Sequence, residues 1–494
     1  MKKSLIYSMI AASLVGVGCS EDFLDPIRDN RSLTQVDMAN ASEFNPAIVA
    51  GTLDGIYSYI SDDMPVTGTR HYDLGQKGMD IWSDILTGDM ALSANTYGWY
   101  QNTANLVSTV DYTREENRIV WEYYYKVINL SNLVINTLGG DDAVPVTESS
   151  RHMMGQAKAL RGYAYFYLAQ YFQRGYDPAQ PILPLYTASS VTPSKVAASQ
   201  IYDLIVSDLN TAVTMLDDFN RLQKHQINKD VAKGLLAYTY AAMGDYAQAK
   251  TLSDEIISAG YPLTSTGELA YPGTGSGFND VATPSWMWGY DITEAMGHQL
   301  VNWWGQMDYY TYSYAFAGDR KSIDNGLYAL IPANDVRKTQ FNPGMALLPV
   351  NKFFHPGRVA GGQQTITTDY IFMRVDEFYL LSAEASAKTG DDVSAKNRLK
   401  ELLANRLGGM ANADAYVDPL SGQALKDAIY LQTRIELWGE GKSYLAMKRN
   451  QATVTRGTNH VFRSGESFIY NIDELSFQIP LNEMNNNPNI TGQN

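Results

Sequence analysis

Asp230-Val-Ala-Lys-Gly-Leu-Leu-Ala-Tyr-Thr-Tyr-Ala-Ala-Met-Gly-Asp-Tyr-Ala-Gln-Ala-Lys-Thr-Leu-Ser-Asp-Glu-Ile-Ile-Ser-Ala-Gly-Tyr-Pro262 is the stretch of this 494-residue chain from which a fold can be read. Leu236, Ala237 and Tyr240 recur at helical spacing, as do Tyr246 and Ala249, and Gly244-Asp245 separates the two runs. Alanine and other small residues let two helices approach closely, and a Gly-Asp pair turns the chain between them. The expected unit is therefore an antiparallel helix pair closed near Pro262.

That order of small, aromatic and turn residues over about 34 positions resembles a tetratricopeptide repeat. A second copy is recognisable at Asp369 to Arg406, where Ala383 and Ala395 flank Thr389-Gly390-Asp391. The two turn glycines, Gly244 and Gly390, are too far apart for consecutive repeats, so a large segment is inserted between them. Further helices are predicted at Glu115 to Leu138, closed by Gly139-Gly140, at His152 to Phe172, at Ser199 to Leu216, and from about Ala424 to Arg449 around Gly439-Glu440-Gly441. The inserted stretch, 263–368, is rich in glycine, proline and asparagine. A structureless excursion of that length would be unusual unless it builds a subdomain or a functional surface. The predicted class is mostly α, a tetratricopeptide-like helical repeat scaffold with a loop-rich inserted subdomain. Its parts are a leader at 1–18, a loop-rich segment at 19–110, scaffold at 111–262, the insertion at 263–368, scaffold at 369–450 and a wrapping segment at 451–494.

The N-terminus carries an address. Lys2 and Lys3 precede the short apolar run Leu5 to Val17, and small residues lead into Cys19, the only cysteine. This is the pattern of a secretory signal. The run falls short of the roughly 20 apolar residues a spanning helix needs. A lone cysteine makes no internal disulfide, which points to acylation of Cys19 as the first residue of a mature lipoprotein. Gly16 stands where the common lipobox prefers leucine. Ser20, Glu21 and Asp22 behind it resemble the signal that sends some Bacteroidetes-type lipoproteins to the outer face of the outer membrane.

Composition narrows the partners. Without Lys2 and Lys3 the formal charge is 36 − 53 = −17, a field that repels phosphate backbones and argues against nucleic acid. Low cysteine use suits an exported chain held by a large core rather than by crosslinks. The six histidines lack zinc-site spacing. Gly439-Glu-Gly-Lys-Ser443 fails as a phosphate loop because Glu436 stands where the first glycine is required. No EF-hand pattern appears, and nothing in the sequence indicates a cofactor, although a loop-built structural calcium site is compatible with it.

Aromatics carry the functional signal. The chain holds 34 tyrosines and 8 tryptophans. Ten aromatics fall between Pro284 and Phe316, including Trp286, Trp288, Trp303, Trp304 and Tyr310. On a loop-built surface such rings offer flat apolar faces with a polar edge, suited to the C–H faces of sugars. The alternative is that they form the insertion's own core. A second cluster, Tyr97, Trp99 and Tyr100, lies beside Asn95, Gln101 and Asn102, whose amides suit hydroxyl recognition. Paired carboxylates of a glycosidase cannot be recognised by spacing alone. A repeat array can also bind protein partners through a concave face.

Several blocks together resemble one family. Gln156-Ala-Lys-Ala-Leu-Arg-Gly-Tyr-Ala-Tyr-Phe-Tyr-Leu168 resembles the arginine-plus-aromatic helix of SusD/RagB-like nutrient-binding lipoproteins. Ile371-Phe-Met-Arg-Val-Asp-Glu-Phe-Tyr-Leu-Leu-Ser-Ala-Glu-Ala385 is similar to their late repeat helix. Thr433-Arg-Ile-Glu-Leu-Trp-Gly-Glu-Gly-Lys-Ser-Tyr-Leu-Ala-Met-Lys-Arg449 is similar to their C-terminal helix pair, and Ile479-Pro-Leu-Asn-Glu483 with Asn487-Pro-Asn489 to their ending. The resemblance implies four tetratricopeptide-like pairs under a loop-rich face, and a SusC-like TonB-dependent transporter that the lipoprotein covers as a lid. It also implies capture of oligosaccharides, or in some members peptides, without catalysis, and it raises Trp99 as a ligand contact. Asp335 and Arg337, in Ile331-Pro-Ala-Asn-Asp-Val-Arg337, match a family motif, and an Asp-x-Arg of this kind is expected to pin loops.

Overall fold

Helices packed in sequence order make the scaffold of the computed structural model, which describes residues 47–273, 275 and 277–494. The leader and Cys19 lie outside the described residues. Glu115–Thr137 packs on Glu148–Phe172, which packs on Ala198–Met215, then Lys229–Met243, then Tyr246–Ser258. The series continues directly from Tyr246–Ser258 to Asp376–Lys388, Asp392–Ala404 and Gly422–Glu436. The two helix pairs read from sequence are thus neighbours in space, and the segment between them is looped out. Ser382 Oγ donates to Asp254 Oδ1 at 2.7 Å across that junction. The fold is mostly α, with four two-stranded sheets among the described residues.

The turn chemistry is local and repeated. Gly244 and Gly390 both adopt a left-handed φ of 84°, where a β-carbon would be strained. The aspartate after each glycine then caps the next helix: Asp245 accepts the backbone N–H of Gln248 at 3.1 Å, and Asp391 that of Ser394 at 3.0 Å. Each such cap contributes about 1 kcal/mol. Close approach shows at Gly162, where a β-carbon would lie 3.0 Å from Leu209 of the next helix.

The first hundred residues read as irregular, yet Ala47–Ser61 and Gly75–Leu86 are helices. Every residue of Gly75–Leu86 is buried, so its glycines and charges masked a helix that has no solvent face. Lys77 and Asp80 satisfy each other inside at 2.8 Å. Gly439 and Gly441 form a buried turn over this helix, with Gly439 N–H donating to Asp84 Oδ2 at 2.5 Å.

A buried ionic network joins insertion, second repeat and C-terminal pair. Glu436 accepts from Arg337 at 2.9 Å, Arg374 at 2.8 Å and Arg406 at 2.6 Å. Burial alone would push the Glu436 carboxyl up, but these three guanidiniums hold it well below the usual carboxylate range. Arg337 also grips Asp335 at 2.6 Å, so the Asp-x-Arg pins the insertion to the scaffold. Arg161 of the aromatic helix is likewise buried, 2.7 Å from Asp208 on the helix beside it. Removing one partner from such a pair typically costs about 3–5 kcal/mol.

Candidate functional site

The site is assembled where two distant loops are sewn together. Met90–Leu92 pairs antiparallel with Lys321–Ile323, which brings the loop at 93–100 against the insertion's 311–320 segment. Asp319, itself buried, accepts the backbone N–H of Tyr97 at 2.6 Å and of Trp99 at 3.2 Å. Thr96 Oγ1 donates to the Gly318 carbonyl at 3.2 Å, and Asn95 Nδ2 to Gln101 Oε1 at 2.9 Å. A loop held by a buried carboxylate can present its rings in a fixed orientation.

Aromatic rings converge there. The His71 ring stacks on Trp99 with centroids 4.8 Å apart and 23° between planes. Tyr72 meets Trp99 edge-on at 5.4 Å, and Tyr314 meets both Trp99 at 5.8 Å and Tyr97 at 5.4 Å in the same manner. His71 Nδ1 is hydrogen-bonded to Tyr314 Oη. Burial lowers the His71 pKa from its ordinary value and raises that of Tyr314, so at neutral pH this contact joins two uncharged rings.

Tyr97, Trp99, Tyr72 and Tyr112 line an open cleft of about 670 Å³. Its polar wall is the first turn of Glu115–Thr137 with Arg70, Asn102 and Asn482. Arg118 bridges Glu115 and Glu122, each at 2.9 Å, and Arg70 also pairs with Glu115. Burial pushes the Glu115 carboxyl up, but its arginine partners outweigh that and hold it below its ordinary value. Burial raises Glu116, which accepts from Asn102 Nδ2 at 3.1 Å. Leu481 N–H donates to the Tyr112 carbonyl at 2.9 Å, so the Pro480–Asn482 stretch forms a side of the cleft. Such a surface offers apolar ring faces beside amide and charged hydrogen-bonding groups, without an enclosed pocket.

Of the rings singled out from sequence, only Tyr97 and Trp99 reach this cleft, and of the amides beside them only Asn102 does. Tyr100 is buried one position further on, edge-on to Tyr72 at 6.0 Å and to Trp82 at 6.3 Å, beneath the site. The four insertion tryptophans are buried as well, which corrects the expectation that they offer stacking faces. Trp286 and Trp288 belong to the strand Trp286–Tyr290, paired with Tyr370–Arg374 and buried along its whole length. Their indole N–H groups donate to the carbonyls of Gly277 at 2.5 Å and His225 at 2.8 Å. Trp303 packs edge-on against Trp304 and against Phe353, both at 5.0 Å. Aromatic density in a strand covered on both faces signals core, not surface. Tyr310 is half-buried under Arg358, whose Nη2 donates to its hydroxyl at 2.7 Å, and it makes no ring contact with Trp99.

Sequence reading missed His71, Tyr72, Tyr112 and Asn482, and did not single out Tyr314. The run Tyr309 to Phe316 contained the signal for Tyr314. The others lie in segments without periodicity, so nothing local marks them. Among the described residues, one group brings three metal-type donors together: Glu148, His152 and Asp218. Arg151 occupies the same Asp218 carboxylate at 2.7 and 2.9 Å, which favours an ion-pair cluster over a cation.

Two family models match the chain. One, described as starch-binding and associating with the outer membrane, matches residues 23–241, and that of the SusD family matches residues 301–494. The chain belongs to the SusD/RagB-like family. Among solved structures it is similar to a SusD-like carbohydrate binding protein from Bacteroides vulgatus, with a TM-score of 0.75 at 24% identity over 90% of this chain and 97% of that one. A SusD superfamily protein from Bacteroides fragilis matches at TM-score 0.71 and 22% identity, over 90% and 99% of the two chains. One from Bacteroides thetaiotaomicron matches at 0.70 and 21%, over 90% and 98%. No curated protein matches the chain in sequence. Among the described residues no helix is long and apolar enough to cross a membrane.

Proposed function

We propose that the protein is a cell-surface binding lipoprotein that captures oligosaccharides at the Trp99 cleft and passes them to a SusC-like TonB-dependent transporter. The observation that carries this reading is the clamp of Tyr97 and Trp99 by buried Asp319 beside an open, polar-walled cleft. Rings fixed in advance lose little entropy on stacking against a sugar, and scattered hydrogen-bonding groups can meet its hydroxyls. The likeness to a carbohydrate binding protein supports the same ligand class. Anchoring through acylated Cys19 would hold the cleft at the outer membrane. Binding without turnover is part of the proposal, since both carboxylates at the cleft are engaged, Glu115 by arginines and Glu116 by Asn102.

Calorimetric titration of the purified full chain in detergent with polysaccharides, oligosaccharides and peptide digests tests this. Saturable glycan binding with no product formed is expected. Release of reducing sugar would make it an enzyme instead. Binding of peptides alone would keep the lid-and-transporter role and replace the ligand.

A further inference from the structure

The described aromatic residues are overwhelmingly buried or half-buried. Among the described residues only four rings are exposed: Tyr97 at 57%, Tyr312 at 54%, Tyr271 at 42% and Tyr112 at 39%. Their placement is not scattered. Tyr97 and Tyr112 line the Trp99 cleft. Tyr312 lies two residues before Tyr314, the ring that buttresses Tyr97 and Trp99, and its centroid is 6.4 Å from Phe316. Phe316 leads to Tyr309 at 5.6 Å and Tyr309 to Tyr310 at 5.8 Å. The Arg358 guanidinium then sits between Tyr310 at 4.5 Å and Tyr271 at 3.8 Å. Two residues along the chain from Tyr314, a second series of contacts thus begins at exposed Tyr312 and ends, through the Arg358 guanidinium, at Tyr271.

Tyr271 is built as a ledge. Arg358 lies over its ring while donating to the Val350 carbonyl at 2.9 Å, Asn351 Oδ1 at 2.9 Å and Tyr310 Oη at 2.7 Å. The Tyr271 N–H donates to the Asn351 carbonyl at 3.0 Å. An arginine held by three hydrogen bonds is a fixed support. The ring it supports stays exposed at the rim of a second cleft, of about 550 Å³, walled by Phe354, Pro284, Pro356 and Asp280. Its other neighbour is Phe354, edge-on at 5.7 Å, so the ring is held from below while 42% of the residue stays open to solvent.

We infer that the Tyr271 ledge is a second glycan subsite, and that the ligand is a polymeric chain long enough to engage both it and the Trp99 cleft. This rests on the glycan reading above and adds the chain length to it. A short oligosaccharide occupies the Trp99 end alone, whereas a long one gains the Tyr271 end as an intramolecular contact at high effective concentration.

The test uses the full chain in detergent. Native affinity electrophoresis against amylopectin, xylan, pectic galactan and α-mannan selects the polysaccharide that retards the protein. Calorimetry then uses size-fractionated oligosaccharides of that polymer. Tyr271→Ser should lose about tenfold in affinity for the longest fractions and nothing for the shortest. Tyr312→Ser, at the exposed ring where the series toward Tyr271 begins, should repeat that pattern, and Trp99→Ala should weaken every length. Unchanged melting of Tyr271→Ser and Tyr312→Ser keeps the comparison valid, and either variant suffices if the other misfolds. Equal affinity of wild type and both tyrosine variants at every length, with Trp99→Ala still defective, overturns the ledge and leaves the proposed function standing. Failure of all four polysaccharides to retard the wild-type protein overturns both.

Discussion

Asp319 Oδ2 accepts the backbone N–H of Trp99 at 3.2 Å although 220 positions of sequence separate them. The same carboxylate accepts the Tyr97 N–H at 2.6 Å, so one buried side chain fixes the position of both cleft rings. In Asp319→Asn the amide group must turn a donor toward one of those N–H groups, and one bond is lost. The variant is expected to fold, to bind glycan about fivefold more weakly, and to show faster hydrogen exchange over residues 95–100. Wild-type exchange and affinity together would remove the clamp from the account.

Trp99 and Trp304 should separate cleanly. Trp99→Ala is expected to cost about tenfold or more in glycan affinity while shifting Tm by no more than about 2 °C. Trp304 is buried against Trp303 and Phe353, so Trp304→Ala should lose roughly 3–5 kcal/mol of stability. Thermal melting beside calorimetry checks both. A stable, non-binding Trp304→Ala would return that ring to the site.

Acid should loosen the scaffold through its buried carboxylates. Burial pushes the Glu440 carboxyl up, but Arg374 and Lys352, both at 2.9 Å, outweigh it and bring it down to about 2 from an ordinary 4.5. Its folded pKa lies below its unfolded one. Its contribution is therefore complete above about pH 4.5 and disappears as pH falls through about 2, on the order of 3 kcal/mol. Urea unfolding of wild type and Glu440→Gln between pH 2 and 7 measures this. The variant should be less stable at pH 7, and the gap should close toward pH 2. A gap independent of pH would contradict the pairing.

Gly441→Ala tests the turn that only looked like a phosphate loop. Gly441 has φ of 73°, and an added β-carbon would stand 2.8 Å from the Asp80 Cα. Neither strain can relax without moving backbone, so a loss of roughly 2–4 kcal/mol is expected by denaturant unfolding. Tolerance of alanine would mean the turn is not packed as described.

The scaffold helices from Glu115 onward, their turns and their order were legible in the chain itself, because each is set by neighbours three or four positions away. Leu236, Tyr240 and Gly244-Asp245 specify a helix, its stop and the next cap with no help from elsewhere. Gly75–Leu86 escaped because partners far off in sequence bury both its faces, and its charges then look like solvent groups. Which rings face a ligand was decided only by tertiary structure. Tyr97 and Tyr100 lie three residues apart in one loop, yet one is exposed and the other buried. Trp288 and Tyr312 belong to one aromatic run with the same contrast. Exposure of a side chain depends on what the rest of the molecule places over it, and here that cover comes from Tyr72 and Trp82 over Tyr100 and from Tyr163 and the strand Tyr370–Arg374 over Trp288, which no local pattern around the rings encodes.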